Sequence, residues 1–140
     1  MITRIFTIFI LLLITSSIPL SYADLEKNQR QIDIIECPIR ESCFSPCQTT
    51  ITIGDTVIWI NKDVKDHMIS SGSGQSGPDG WFSSTIIPSH GIFSHTFDRK
   101  GVFVYFDNMH PYMQGVIIVD SSLQSSFIKM QQSYFSDWCS

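Results

Sequence analysis

The chain has 140 residues, 43% of them hydrophobic, and a formal net charge of −4. Mild acidity excludes a nucleic-acid partner, whose phosphates call for a basic footprint. The length excludes anything much larger than one domain.

The N-terminus carries Arg4, then an apolar run from Ile5 to Ile18, then Ser21-Tyr22-Ala23 with small residues at the positions a signal peptidase reads. That run is shorter than the roughly 20 residues of a membrane span. Residues 1–23 are therefore expected to be a cleaved signal peptide rather than an anchor, and the protein to be exported and extracytoplasmic. Cleavage would leave 117 residues and remove only Arg4 from the charge count.

Export makes disulfides available to the four cysteines, Cys37, Cys43, Cys47 and Cys139, which allow three pairings. Cys37 and Cys43 enclose a short loop ahead of the first clear strand and are expected to pair. Cys47 with Cys139 would then clip the tail to the body. A zinc site is the rival, but spacings of 6, 4 and 92 do not give two close ligand pairs.

After a polar segment, 24–31, β-rich runs alternate with turn chemistry. "IDIIE" (32–36), "TTITI" (49–53) and "TVIWI" (56–60) are rich in β-branched residues, and Gly54-Asp55 between the last two reads as a hairpin turn. "HMIS" (67–70) is a further short strand. "SGSGQSGPDG" (71–80) reads as a long loop. "GIFSHTF" (91–97), "GVFVYF" (101–106) and "GVIIVD" (115–120) complete the set. Seven short strands with a turn about every ten residues predict an all-β protein, a Greek-key antiparallel β-sandwich spanning 32–120.

The tail, 121–140, is rich in Ser and Gln. Leu123, Phe127, Met130, Tyr134 and Trp138 recur at spacings that would give a helix one apolar stripe. A short helix docked on the sandwich, or a frayed tail, is expected ahead of a partner- or membrane-binding helix.

Between the last two strands lies "YFDNMHPYMQG" (105–115). It places Asp107, His110 and Met113 in one short loop. A loop of this kind at a sandwich end holds several donors at fixed separations, and His67, at the start of its strand, is the natural distant partner. Asp63 and Asp66 nearby are expected to be exposed, with a supporting role to His67 open to either. Met68 and Met109 are expected in the core. Phe93, His95 and Phe97 share one face by alternation, so His95 reads as a core or supporting histidine. His90 reads as a solvated turn residue, and Trp59 and Trp81 as core or cap aromatics.

At these residues the chain resembles a known family, the cupredoxins or blue (type 1) copper proteins, and most of all plastocyanin-like exported domains of archaea. The resemblance rests on "DHMISSG" (66–72), "GPDGWFSS" (77–84), "FSHTF" (93–97) and "YFDNMHPYMQG", in that order, with "CFSP" (43–46) ahead of them. It implies a cupredoxin sandwich with one copper ion, His67 and His110 as the imidazole ligands and Met113 as the weak axial thioether. It implies electron transfer with a redox partner protein. Asp107 stands where the family has its cysteine thiolate.

An aspartate alters that chemistry. A carboxylate is a harder donor than a thiolate, so His67, Asp107 and His110 suit tetragonal Cu(II), and they also suit zinc. Three functions follow as expectations: a non-blue copper protein of electron-transfer lineage, an extracytoplasmic copper carrier using His and Met with a copper donor or acceptor as partner, or a metal-free binding module. Nothing names a substrate for an enzyme, and cell-surface association stays open.

Overall fold

The computed structural model describes residues 28–36, 43–122, 126–136 and 139. The expected signal peptide and Cys37 lie outside them. Among the described residues nine strands run β1 (Gln29–Ile34), β2 (Phe44–Ser45), β3 (Gln48–Thr52), β4 (Thr56–Asn61), β5 (Ile69–Ser73), β6 (Gly77–Ser83), β7 (Ile92–Thr96), β8 (Gly101–Asp107) and β9 (Gln114–Asp120), before helix α1 (Ser126–Ser136). They form two layers, a four-stranded sheet in the order β2-β1-β4-β7 and a five-stranded sheet in the order β3-β9-β8-β5-β6.

The alternating β-branched residues explain the layers. In β4 every second residue, Val57, Trp59 and Asn61, is buried, while Thr56, Ile58 and Ile60 are less so. That period-two pattern is what a strand with one inward face requires. The inward residues of both sheets meet in one core around Trp59, Tyr105, Phe82, Phe97, Ile32, Ile34, Ile69 and Ile117.

The sandwich is the expected one, with two differences in pairing. The antiparallel reading fails at β1 with β4 and at β3 with β9, both of which are parallel. The reason lies at Gly54-Asp55, expected to close a hairpin. Gly54 takes φ of +95° and the Asp55 carboxylate accepts from the Thr52 amide and hydroxyl. This turn passes the chain from one sheet to the other, so β3 and β4 never pair. Each finds a partner from elsewhere in the chain.

Residues 71–80 are largely not the expected loop, for β5 and β6 run through them as a hairpin with a register shift between Ser70 and Gly72. Strand propensity is low there, and side-chain hydrogen bonds substitute for it. The buried Ser71 hydroxyl accepts from the amides of Trp81 and Phe82. Gly72 takes φ of +115° at the bulge, with the backbone of Gly77, Pro78 and Asp79 packed where a Cβ would stand.

The tail forms the docked helix; of the expected stripe Phe127 packs inward, Met130 and Tyr134 do not, and Leu123 and Trp138 lie outside the described residues. Ile128 is buried against Val116 and Ile118, with Phe127 and Phe135 packed around it and Val102 and Val104 beneath. Met130 and Tyr134 face solvent. The helix covers the outer face of the five-stranded sheet, which is itself apolar, and a Cys47–Cys139 disulfide fastens it there. Cys43 is also disulfide-bonded. No helix among the described residues is long and apolar enough to cross a membrane.

Candidate metal centre

Strand β8 ends at Asp107 and β9 begins at Gln114, and the turn between them is closed by its own backbone. The Asp107 amide donates to the Met113 carbonyl at 3.1 Å, the His110 amide to the Asp107 carbonyl at 3.2 Å, and the Met113 amide to the His110 carbonyl at 2.8 Å. The Asn108 amide reaches the Met68 carbonyl at 2.7 Å, and its side chain donates to Ser70 at 2.6 Å. These bonds pin the loop beside the segment that carries His67. His67 itself is held in a two-way backbone bridge with Ile87.

The result brings three of the sequence candidates together. One nitrogen from His67, one from His110 and one carboxylate oxygen of Asp107 all lie within 4.8 Å of one another. Asp107 Oδ2 stands 2.5 Å from His67 Nδ1 and 2.9 Å from His110 Nδ1. Its other oxygen, Oδ1, accepts from the amides of Met68 at 3.1 Å and Met109 at 2.8 Å. The carboxylate is thus split in role, with one oxygen tied to the backbone and the other aimed at both imidazoles. Met113 is buried, and it lines the same small cavity of about 10 Å³ as His67 and His110, room for about one water.

Burial and charge set the protonation. Burial disfavours an ionised Asp107, but hydrogen bonds from His67, His110 and the two amides outweigh it and hold its pKa below the ordinary value. Burial likewise opposes a charged His67, yet Asp107 and then Asp63 reverse the balance and raise it. Asp63, for which the sequence leaves a supporting role to His67 open, is buried rather than exposed. It is only 5% exposed, and its Oδ2 meets His67 Nε2 at 3.3 Å. A turn places it: the Asn61 side chain accepts from the Asp63 amide, and Asp63 Oδ1 accepts from the amides of Val64 and Lys65. The pattern "NKD" at 61–63, with its Asx-turn chemistry, was the available signal. Asp66 is exposed as expected.

Other expectations divide. Met109 is 49% exposed rather than in the core, because it lies in the turn beyond β8, where strand alternation no longer applies. His95 stacks on Phe82, far from the His67 group in the fold, and is partly exposed. His90 sits in its turn with φ of +63°. Trp59 is buried and Trp81 is half-exposed.

The donor set fits a metal ion. Nitrogen and oxygen donors sit about 2.0–2.2 Å from zinc, so two of them on opposite sides of one ion stand about 4 Å apart. All three donor atoms lie within 4.8 Å of one another, and Asp107 Oδ2 already touches both nitrogens at hydrogen-bond distance, so an ion bound there would replace those two hydrogen bonds and spread the donors slightly.

Comparisons with known proteins agree with the architecture. No protein-family model matches the chain. Amicyanin from Paracoccus versutus is 29% identical over 107 residues, covering 76% of each chain. Amicyanin from Paracoccus denitrificans is 24% identical over 107 residues, 76% of this chain and 77% of that one. Among solved structures, a purple cupredoxin from Nitrosopumilus maritimus superposes with a TM-score of 0.59 at 29% identity, covering 64% of this chain and 97% of the other. The fold is of cupredoxin type. The Cu(I) form of an amicyanin variant, at 23% identity and a TM-score of 0.52, adds to the likeness in fold.

Within that cupredoxin fold, the β8–β9 loop and the start of β5 form one end of the sandwich, and it is there that His67, Asp107 and His110 gather. The carboxylate is a built feature of this end, for all four of its hydrogen bonds come from residues of the loop or of the 67–68 segment.

Proposed function

We propose that this is an exported copper-binding protein of electron-transfer lineage, in which His67, His110 and Asp107 would hold one ion and Met113 would add a weak thioether donor. The observation that carries the reading is the convergence of both imidazole Nδ1 atoms on a single oxygen of a buried aspartate. Copper bound there would supply one-electron chemistry, with Cu(II) favoured by the hard oxygen donor. The protein's own groups set the terms. The Met68 and Met109 amides reserve Oδ1, so Asp107 is presented through Oδ2 alone. Asp63 orients the His67 ring from its far side, as carboxylates commonly do for metal-bound histidines. His110, one-quarter exposed, is the imidazole that reaches the surface, where a redox partner or a copper donor would meet it. The Cys47–Cys139 disulfide supports an oxidising, extracytoplasmic location.

A copper-carrier reading keeps one supporting observation. The Met109 thioether is half-exposed next to His110, and thioethers favour Cu(I). Metal analysis of the purified protein with EPR and optical spectra tests both readings. One copper per chain with an oxygen- and nitrogen-type Cu(II) EPR signal and no thiolate band supports the first. Preferential Cu(I) uptake that falls with Met109→Leu supports the second. Zinc alone would replace both.

A further inference from the structure

A second cleft lies away from the metal end. It opens where the edges of the two sheets face each other, between β6, the edge of one sheet, and β7, the edge of the other. Its lining is Trp81 from β6, His95 and Thr96 from β7, Phe97 to Arg99 from the following turn, and Phe103 from β8. Phe103 and Asp107 are four residues apart on one strand, about 13 Å. The two sites are therefore separate.

Three features give the cleft a chemistry. Its walls are aromatic: Trp81 meets Phe103 edge to face at 6.2 Å, and Phe97 meets Phe103 at 5.1 Å. Its volume is about 150 Å³, the size of an apolar cavity that accepts benzene. Its polar groups are His95, Thr96, Asp98 and Arg99, of which Thr96 is already bonded to Thr56. The Arg99 guanidinium lies 4.4 Å over the Trp81 ring, and only Nε is engaged, by Asp98 at 3.3 Å. That leaves the terminal nitrogens of Arg99 without a partner among the described residues. Burial keeps His95 toward its neutral form, against a smaller opposing pull from Asp98. The ring, packed between Phe82 and Phe97, has no hydrogen bond among the described residues.

We propose that this cleft binds a small aromatic acid, a single ring bearing a carboxylate. The ring enters among Trp81, Phe97 and Phe103, where edge and face contacts favour an aromatic over an aliphatic guest. The carboxylate meets the free fork of Arg99, the geometry guanidinium groups use for carboxylates. Asp98 stands on the rim and is mostly exposed, so solvent screens its repulsion.

Benzoate is the probe, titrated into the full mature chain and followed by tryptophan emission and by amide and side-chain NMR shifts. The expected result is saturable binding with shifts at Trp81, His95 and Arg99. Arg99→Gln, a surface change that leaves the fold alone, weakens benzoate by about tenfold or more and leaves benzyl alcohol unchanged. The proposal is overturned by absence of saturation, or by shifts confined to the 107–113 loop. Equal binding of cyclohexanecarboxylate would overturn the aromatic class, and an unchanged affinity in Arg99→Gln would overturn the acid.

Discussion

Asp63 and Asp107 grip the same imidazole from opposite sides, at 3.3 Å from His67 Nε2 and 2.5 Å from His67 Nδ1. A buried histidine between two carboxylates has its orientation fixed before any ion arrives. A metal held by His67 would take Nδ1, leaving Nε2 to the Asp63 carboxylate. Replacing Asp63 by Asn keeps the shape and removes the charge. Metal affinity should fall about 10- to 100-fold, measured by competition with a chelator of known affinity. Unchanged affinity would make Asp63 a turn residue and nothing more.

Asp107→Cys tests what the aspartate contributes. Copper-loaded wild type should lack the strong absorption of a thiolate–copper bond and show the wide EPR hyperfine splitting of a tetragonal site. The cysteine variant should turn blue or green. A variant that binds copper and stays colourless would show that the loop does not hold the trigonal geometry a thiolate site needs.

The same pair gives the chelator-treated protein a pH window. Asp63 and Asp107 have lowered values, so their stabilisation is complete above the ordinary carboxylate value near 3.8 and is lost as pH falls below it. His67 is raised, so its share is complete below the ordinary imidazole value near 6.5 and is lost as pH climbs through its higher folded value. Stability by urea unfolding should therefore peak between these limits. Asp107→Asn should flatten the fall on the alkaline side, and a persisting fall would assign it to another group.

The helix offers a test of which stripe packs. Ile128→Ala should cost about 2–5 kcal/mol in urea unfolding, because it empties a site against Val116 and Ile118. Tyr134→Ser on the other stripe should stay within about 0.5 kcal/mol. Removing the Cys47–Cys139 bridge with paired alanines should cost about 4 kcal/mol, since the residues it joins are 92 apart. Equal effects at Ile128 and Tyr134 would mean that the helix does not dock as described.

The sandwich and the core of the site were legible because local pattern fixes them. Alternation in "TVIWI" names Val57 and Trp59 as inward, and a short loop between two paired strands keeps Asp107 and His110 close together. What the sequence concealed depends on distant partners. Gly54-Asp55 has the composition of a hairpin turn, and only the sheet assignment of its flanking strands shows that it is a crossover. Residues 71–80 lack strand formers, and their strands exist through Ser71. The tail periodicity names Phe127 correctly but not Ile128, which meets an apolar sheet face that no local pattern reveals, while Met130 and Tyr134 turn to solvent.

The parallel pairing of β3 with β9 joins residue 48 to residue 116. A ribosome or a translocase delivers the first of these long before the second. Until the last strand is released, β3 has no neighbour in its sheet, and the helix and its cysteine follow later still. The chain must therefore stay unfinished through most of its synthesis and complete its edge only when its C-terminus is free. Truncation after β8 would leave a fragment with an unpaired strand at Gln48–Thr52, a template for aggregation rather than a smaller working protein.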